Sequence, residues 1–265
     1  MLDVHAYLSA LVVLLLAGVA GWLFSVVRQN VTIVDSLWAL FFLLAALTTA
    51  ALTSQPGPRT TLIIVLVAVW AMRLSGYLTW RNWGKPEDHR YQEIRRRNEP
   101  GFTFKSLYLV FALQAVLAWI IAAPLAAGIS SQVPLGLLDV AGIALWVFGF
   151  LFETIGDWQL ARFKAKPGNQ GKVMDRGLWH YTRHPNYFGE ACLWWGYWLI
   201  AASAGGWWTV FAPLLMSVLL LKVSGVALLE KDIGERRPAY RDYIARTNAF
   251  FPGPRRSVAT GKEPV

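Results

Sequence analysis

Seven stretches of this chain are almost continuously apolar: 6–27, 32–54, 60–80, 106–128, 136–160, 187–203 and 207–229. Most are about 20 residues long, the length a helix needs to cross the hydrocarbon layer of a bilayer. This predicts an all-α, polytopic membrane protein of seven transmembrane helices. The sixth run is short and starts just after His184–Pro185. The first has no basic stretch before it and no clear small-residue cleavage site after it, so it reads as a span and not as a signal peptide. Composition agrees: 55% of the 265 residues are hydrophobic and 14 are Trp, too apolar for a soluble domain of this size. One integral-membrane domain over 1–251 is expected, with a short flexible tail over 252–265. The single cysteine, Cys192, excludes an intramolecular disulfide framework and a cysteine metal cluster.

A net charge of +9 suits either nucleic acid or the cytoplasmic loops of a membrane protein. Position decides between them. Of the 25 Lys and Arg residues, 21 lie in 81–105, in 162–183 and from Lys231 onward. The alternate connections 129–135 and 203–206 hold none, and 55–59 holds only Arg59. The positive-inside rule then places the N-terminus outside and the C-terminus in the cytoplasm. No nucleic-acid partner is expected, and the chain reads as a monomer.

Basic loops do not account for the polar residues within the spans. Asp35 lies early in the second. Arg73, Tyr77 and Arg81 follow one another at four-residue steps in the third, which puts them on one helix face. Glu153 and Asp157 are four apart in the fifth, Glu190 is one turn into the sixth, and Lys222 and Glu230 belong to the seventh. Ionisable groups in membrane helices are costly and normally face a cavity or one another. Each has a plain alternative: Asp35 neutralising Arg73, or Lys222 and Arg81 snorkelling to the interface. Taken together they imply a polar, water-accessible cavity on the cytoplasmic side.

The segment "RHPNYFGE", 183–190, opens the sixth span. Pro185 suits a first helical turn. Asn186 and Glu190 then share a face, with Tyr187 beside them, and Asn186 offers both a donor and an acceptor, as a carboxamide or an adenine requires. Free N–H groups at this helix start favour an anion. The preceding loop supplies Arg162, Lys164, Lys166, Lys172, Arg176 and Arg183 among glycines, as several phosphates require. No GxGxxG or GxxxxGK[ST] is present. His180 and His184 have the spacing of a helical metal pair, but HExxH is absent and no metal is expected.

The segment "GDWQLARFKAKPGNQGKVMDRGLWHYTRHPNYFGE" resembles the C-terminal domain of steroid 5-alpha-reductases. It is closest to bacterial membrane proteins of that superfamily described as of unknown function, with which "VDSLWAL", "RLSGYLTWRNWGKPEDHRYQEIRRR" and "LLEKDIGERRPAYRDYIARTNAFFPGP" also agree. The resemblance implies a seven-helix fold in the bacterial inner membrane, with NADPH held in the cytoplasmic half. It implies hydride transfer to the β-carbon of an enone whose carbonyl an acid and a tyrosine polarise. The substrate would be an apolar small molecule or lipid, with membrane lipids as the other partners. Asn186 and Glu190 match the Asn and Glu that contact the nicotinamide side of the cofactor, with Tyr187 between them. Glu153 and Asp157 fall at further cofactor positions. Arg162, Lys164 and Lys166 surround the phosphate-binding arginine, and Arg81, Asn82 and Lys85 fit the stretch after the third helix. Lys222, Glu230, Tyr240 and Tyr243 fall in the C-terminal part of the cofactor site.

Two positions depart from the family. Asp35 is the only acid available where the steroid enzymes use a second-helix Glu. Trp70 stands where they place a catalytic Tyr, three residues before the third-helix arginine. Tyr77 is the nearest substitute, so Asp35, Tyr77 and Arg73 are the catalytic candidates, with Tyr91 or Tyr187 next in line as donor. Two other readings stand beside the reductase. Membrane methyltransferases carry a similar "RHPxYxG" and bind S-adenosylmethionine, which has no phosphate for six basic residues to meet. A non-enzymatic lipid- or partner-binding protein would need no nucleotide.

Overall fold

A computed structural model describes residues 2–223, 226, 230 and 239–256. Among the described residues the chain is helical and has no strand, only a single parallel bridge between Thr182 and Asn248. The helices are α1 (Val4–Arg28), α2 (Ile33–Leu52), α3 (Thr60–Asn82), α4 (His89–Asn98), α5 (Phe102–Ile121), α6 (Ala123–Ile129), α7 (Leu137–Lys164), α8 (Pro185–Ser203), α9 (Trp207–Val223) and α10 (Ala239–Arg246).

Five of these, α1, α2, α3, α5 and α7, are long and apolar enough to cross a membrane. They coincide with the first five expected spans, and the protein is an integral membrane protein. The expected sixth span is α8, 19 residues whose tryptophans, Asn186 and Glu190 make it less apolar. The expected seventh is described as a continuous helix only to Val223, which is shorter than a full crossing. The fourth expected span ends early, because a break at Ala122 separates α5 from the short α6.

The chain divides into two compact units. The first comprises Met1–Val140 and Tyr197–Ala212, the second Ala141–Gly196 and Pro213–Val265.

In the first unit, α1 starts at Asp3, whose carboxylate accepts from the Ala6 N–H at 3.0 Å and so satisfies one of the helix's unpaired donors. Its buried stripe, Ala6, Ala10, Leu14, Gly18, Gly21 and Ser25, is mostly small. Small residues let membrane helices approach closely, where dispersion replaces the absent hydrophobic drive. At Gly21 a Cβ would meet the end of the Leu37 side chain of α2, so a larger residue here requires that leucine to move aside. Trp70, the residue at the family's tyrosine position, is fully buried and packs on Phe42 with ring centroids 5.7 Å apart.

Arg59, the one basic residue of the connection 55–59, is completely buried just before α3. Its guanidinium grips both oxygens of Asp139, in the first turn of α7, at 2.7 and 2.7 Å. It also donates to the Val133 and Pro134 carbonyls at 2.5 and 2.9 Å and to the Ser203 hydroxyl at 3.0 Å. Asp139 in turn accepts from the Gly136 N–H and from Ser203, both at 2.7 Å. A buried ion pair is tolerated when its remaining donors and lone pairs are occupied, and here they are.

In the second unit, α7 and α8 touch backbone to backbone. A Cβ on Gly189 would lie 2.5 Å from the Glu153 nitrogen and 2.6 Å from the Gly149 oxygen. This contact sets Glu153 and Asp157 of α7 beside the start of α8.

Candidate functional site

The second unit carries a buried acidic set. Glu153, Asp157 and Glu190 are 2%, 4% and 7% exposed. α8 begins at Pro185, as the proline predicts. One turn of helix separates Asn186 from Glu190. The Asn186 amide nitrogen donates to Asp157 Oδ1 at 3.2 Å, while its Oδ1 is buried with no hydrogen-bond partner. A buried acceptor without a donor costs about 1–3 kcal/mol, so the arrangement suits a ligand with an N–H to give. The nicotinamide carboxamide has one, and in this respect the residues fit the implied cofactor. Arg162, Lys164 and Lys166 are exposed at the end of α7 and just beyond it, with Arg162 lying over the Trp158 ring at 5.3 Å.

The first half of "RHPNYFGE" has a different task. Arg183 binds Glu230 through two bonds of 2.7 Å, and His184 Nε2 lies 2.9 Å from the same carboxylate. Arg183 also donates to the Ile244 carbonyl at 3.1 Å and to the Thr247 carbonyl. Thr182 donates to the Phe250 carbonyl at 2.8 Å. Tyr243, placed at the cofactor by resemblance, is buried and donates to the Trp179 carbonyl at 2.5 Å; its ring stacks edge-on against Tyr240. This segment therefore holds the C-terminal helix, with Glu230 and Tyr243 among its ties. The tail expected from 252 is anchored at its start: the Gly253 N–H donates to Tyr181 and the Arg256 N–H to Arg246, while 257–265 lie outside the described residues. His180 lies in a 3₁₀ turn and His184 ahead of α8, so they do not share a helix face. Among the described residues no group of three or more candidate ligands could hold a metal. Tyr187 stacks on His184 at 5.5 Å. Lys222 is exposed on α9.

In the first unit the catalytic candidates divide. Arg73, Tyr77 and Arg81 do lie on one face of α3, and the two guanidinium carbons sit 5.6 and 5.8 Å from the centre of the Tyr77 ring. Asp35 is not with them. Its Oδ1 accepts from the Tyr91 hydroxyl at 2.6 Å and its Oδ2 from Arg90 at 2.7 Å. The expected pairing of Asp35 with Arg73 or Tyr77 is thus replaced by one with α4.

Unlike Tyr91, several residues that build this region were not singled out. Asp88 caps α4 by accepting from the Arg90 N–H at 2.9 Å, and its own N–H donates to Thr32 at 2.9 Å. Glu87 accepts from the Val31 N–H at 3.0 Å and is paired with Arg95. Tyr91 is buried with Val31, Val34, Phe102 and Phe111, and Ile94 packs against that cluster. Burial first, and then the Asp35 charge, push the Tyr91 phenol well above its ordinary range. A signal was present in "PEDHRYQEI": an acidic cap followed by two apolar residues three apart marks a short helix with one buried face.

Comparison with known proteins accords with this picture. The profile of the family described as "Protein of unknown function (DUF1295)" matches residues 21–247. An uncharacterized protein of Schizosaccharomyces pombe is 25% identical over 94% of this chain and 80% of its own length. The 3-oxo-5-alpha-steroid 4-dehydrogenase 1 of Bos taurus is 38% identical over 31% of this chain, and that of Rattus norvegicus 37% over 31%. These matches take in 32% and 31% of the two enzymes, about a third of their length. No solved structure matches.

Proposed function

This chain belongs to the DUF1295 family, a steroid 5-alpha-reductase-like family, and from that premise we propose that it is an NADPH-dependent reductase. It reduces a carbon–carbon double bond conjugated to a carbonyl in an apolar, steroid- or lipid-like substrate. The observation that carries the reading is the buried, unpartnered Oδ1 of Asn186 beside Asp157 and Glu190. The protein crosses the bacterial inner membrane seven times, α8 and α9 completing the set, with its N-terminus outside.

NADPH, when bound, supplies the hydride. Asn186 would hold the carboxamide through its free acceptor, with Tyr187 and Glu190 as further residues for the nicotinamide end, and the exposed Arg162, Lys164 and Lys166 would take the phosphates. Tyr77 is the proton donor. Negative charge growing at the substrate oxygen draws its proton, and the charge left on the phenol develops beside Arg73 and Arg81. Asp35 holds α4 in place through Arg90 and Tyr91 and is not the donor. Apolar substrate enters from the bilayer.

The experiment supplies a panel of apolar enones with NADPH and follows loss of its absorbance. Wild type consumes the cofactor, and Tyr77→Phe is slower by about 10²-fold or more, the scale for losing one such donor. No turnover of any enone, with thermal stabilisation by S-adenosylmethionine and none by NADPH, would replace this reading with the methyltransferase. A reporter fused after Val265 should report cytoplasm, and one inserted near Ser131 the exterior.

A further inference from the structure

At the α3 end of the first unit two cavities adjoin, sharing Thr79 and Trp83. One is the more polar of the two, about 200 Å³, and its wall includes Arg28, Asn30, Thr32, Asn82 and Lys85. The other is an open apolar groove of about 590 Å³ along α2 and α3, lined by Leu40, Met72, Gly76 and Trp80.

Three features identify what belongs there. No carboxylate lines either cavity, and neither Arg28 nor Lys85 forms an ion pair among the described residues. The Asn82 amide nitrogen is buried and has no acceptor. Trp80 and Trp83 are 69% and 64% exposed at the end of a membrane helix, where such rings sit at headgroup depth. Arg28 already lies over the Trp83 ring, 5.5 Å from its centre, at the join between the two cavities. Two unpaired cations and a free N–H call for an oxyanion. The groove beside them calls for an attached hydrocarbon tail.

We infer that these cavities form a binding site for an anionic phospholipid, with its phosphate between Arg28, Lys85 and Asn82 and an acyl chain in the groove past Gly76. A dinucleotide could use the polar cavity but has no tail for the groove, which is why the site is assigned to lipid despite the resemblance that places Asn82 and Lys85 at a cofactor. The assignment stands independently of the proposed reductase activity.

The test uses the full chain purified in neutral detergent and titrated with dioleoyl phosphatidylglycerol or dioleoyl phosphatidylcholine, with retained lipid read by native mass spectrometry. Phosphatidylglycerol should be retained preferentially. Arg28→Gln should weaken it about fivefold, the scale for one basic residue at an anionic surface. Gly76→Leu should weaken retention by narrowing the groove. A Cβ there meets nothing within 4 Å, so the new side chain starts in open space, and an unchanged melting temperature should accompany the loss of lipid. Inorganic phosphate should not compete, since it carries no tail. Equal retention of the two lipids would overturn the proposal. So would displacement of lipid by NADPH together with an inert Gly76→Leu, which would give the polar cavity to the nucleotide.

Discussion

Breaking the Arg59–Asp139 clamp offers the sharpest test of how the first unit is held. In Arg59→Met the guanidinium is lost from a site where it is 0% exposed and makes five hydrogen bonds. Asp139 then keeps only the Gly136 N–H and the Ser203 hydroxyl, and the Val133 and Pro134 carbonyls lose a donor. Removing one partner of a buried ion pair costs about 3–5 kcal/mol, chiefly because a charge is stranded. For a chain of this length roughly 2–4 °C accompanies each kcal/mol, so the midpoint should fall by about 6–20 °C. Asp139→Leu should do the same, now stranding the arginine. The double variant Arg59→Met/Asp139→Leu strands neither charge, and should lose at least about 2 kcal/mol less than the sum of the singles. It should not reach wild type, because the two carbonyls remain short of a donor. The assay is thermal unfolding in one detergent, read by far-ultraviolet circular dichroism and by aggregation. Single variants within about 1 kcal/mol of wild type, or a double equal to the sum, would refute the reasoning.

Tyr91→Phe removes a hydrogen bond to a charged group and should destabilise by about 1.5–3 kcal/mol, yet leave enone turnover near wild type, unlike Tyr77→Phe; a rate loss as large as that of Tyr77→Phe would make Tyr91 the donor. Asn186→Ala should weaken NADPH binding by about 1–3 kcal/mol, measured by isothermal titration, and unchanged affinity would remove Asn186 from the cofactor site. Gly189→Val should cost about 3 kcal/mol or more, because the atoms a Cβ would meet are backbone and cannot move aside; a wild-type melting curve would contradict the close helix crossing. Burial works to raise the Glu87 and Asp88 carboxyls, but Arg95 and the Val31 N–H hold the first, and Arg90 the second, below their ordinary values. A depressed folded value means that the stabilisation is complete above the ordinary carboxylate range and lost only as pH falls through and below it. Hydrogen-exchange protection in 88–98, corrected for intrinsic rates, should therefore hold from pH 7 to 5 and fall below about pH 4; loss between pH 7 and 5 would contradict this.

What the sequence determined by itself is local. Runs of about 20 apolar residues require helices whatever surrounds them, so four of the first five spans could be placed within a few residues, and the fourth in chain order missed only the break at Ala122. Pro185 marked the start of α8 for an equally local reason, its missing N–H. The four-residue steps of Arg73, Tyr77 and Arg81 put them on one face by helix period alone, and they are there. Partners were another matter. Asp35 meets Arg90 and Tyr91 across 55 and 56 residues, Arg59 meets Asp139 across 80, and Arg183 meets Glu230 across 47. Each acid had more than one cation that could have neutralised it, and periodicity says nothing about which helix turns which face toward which. That choice was made by packing: by the small stripe of α1 against α2, by the glycines that let α7 touch α8, and by the capped α4 that brings Tyr91 and Arg90 to Asp35 ahead of the nearer-seeming Arg73. The same physics turned Arg59 from an apparent loop charge into a buried clamp, because a guanidinium can leave water when a carboxylate and two carbonyls from elsewhere in the chain replace it.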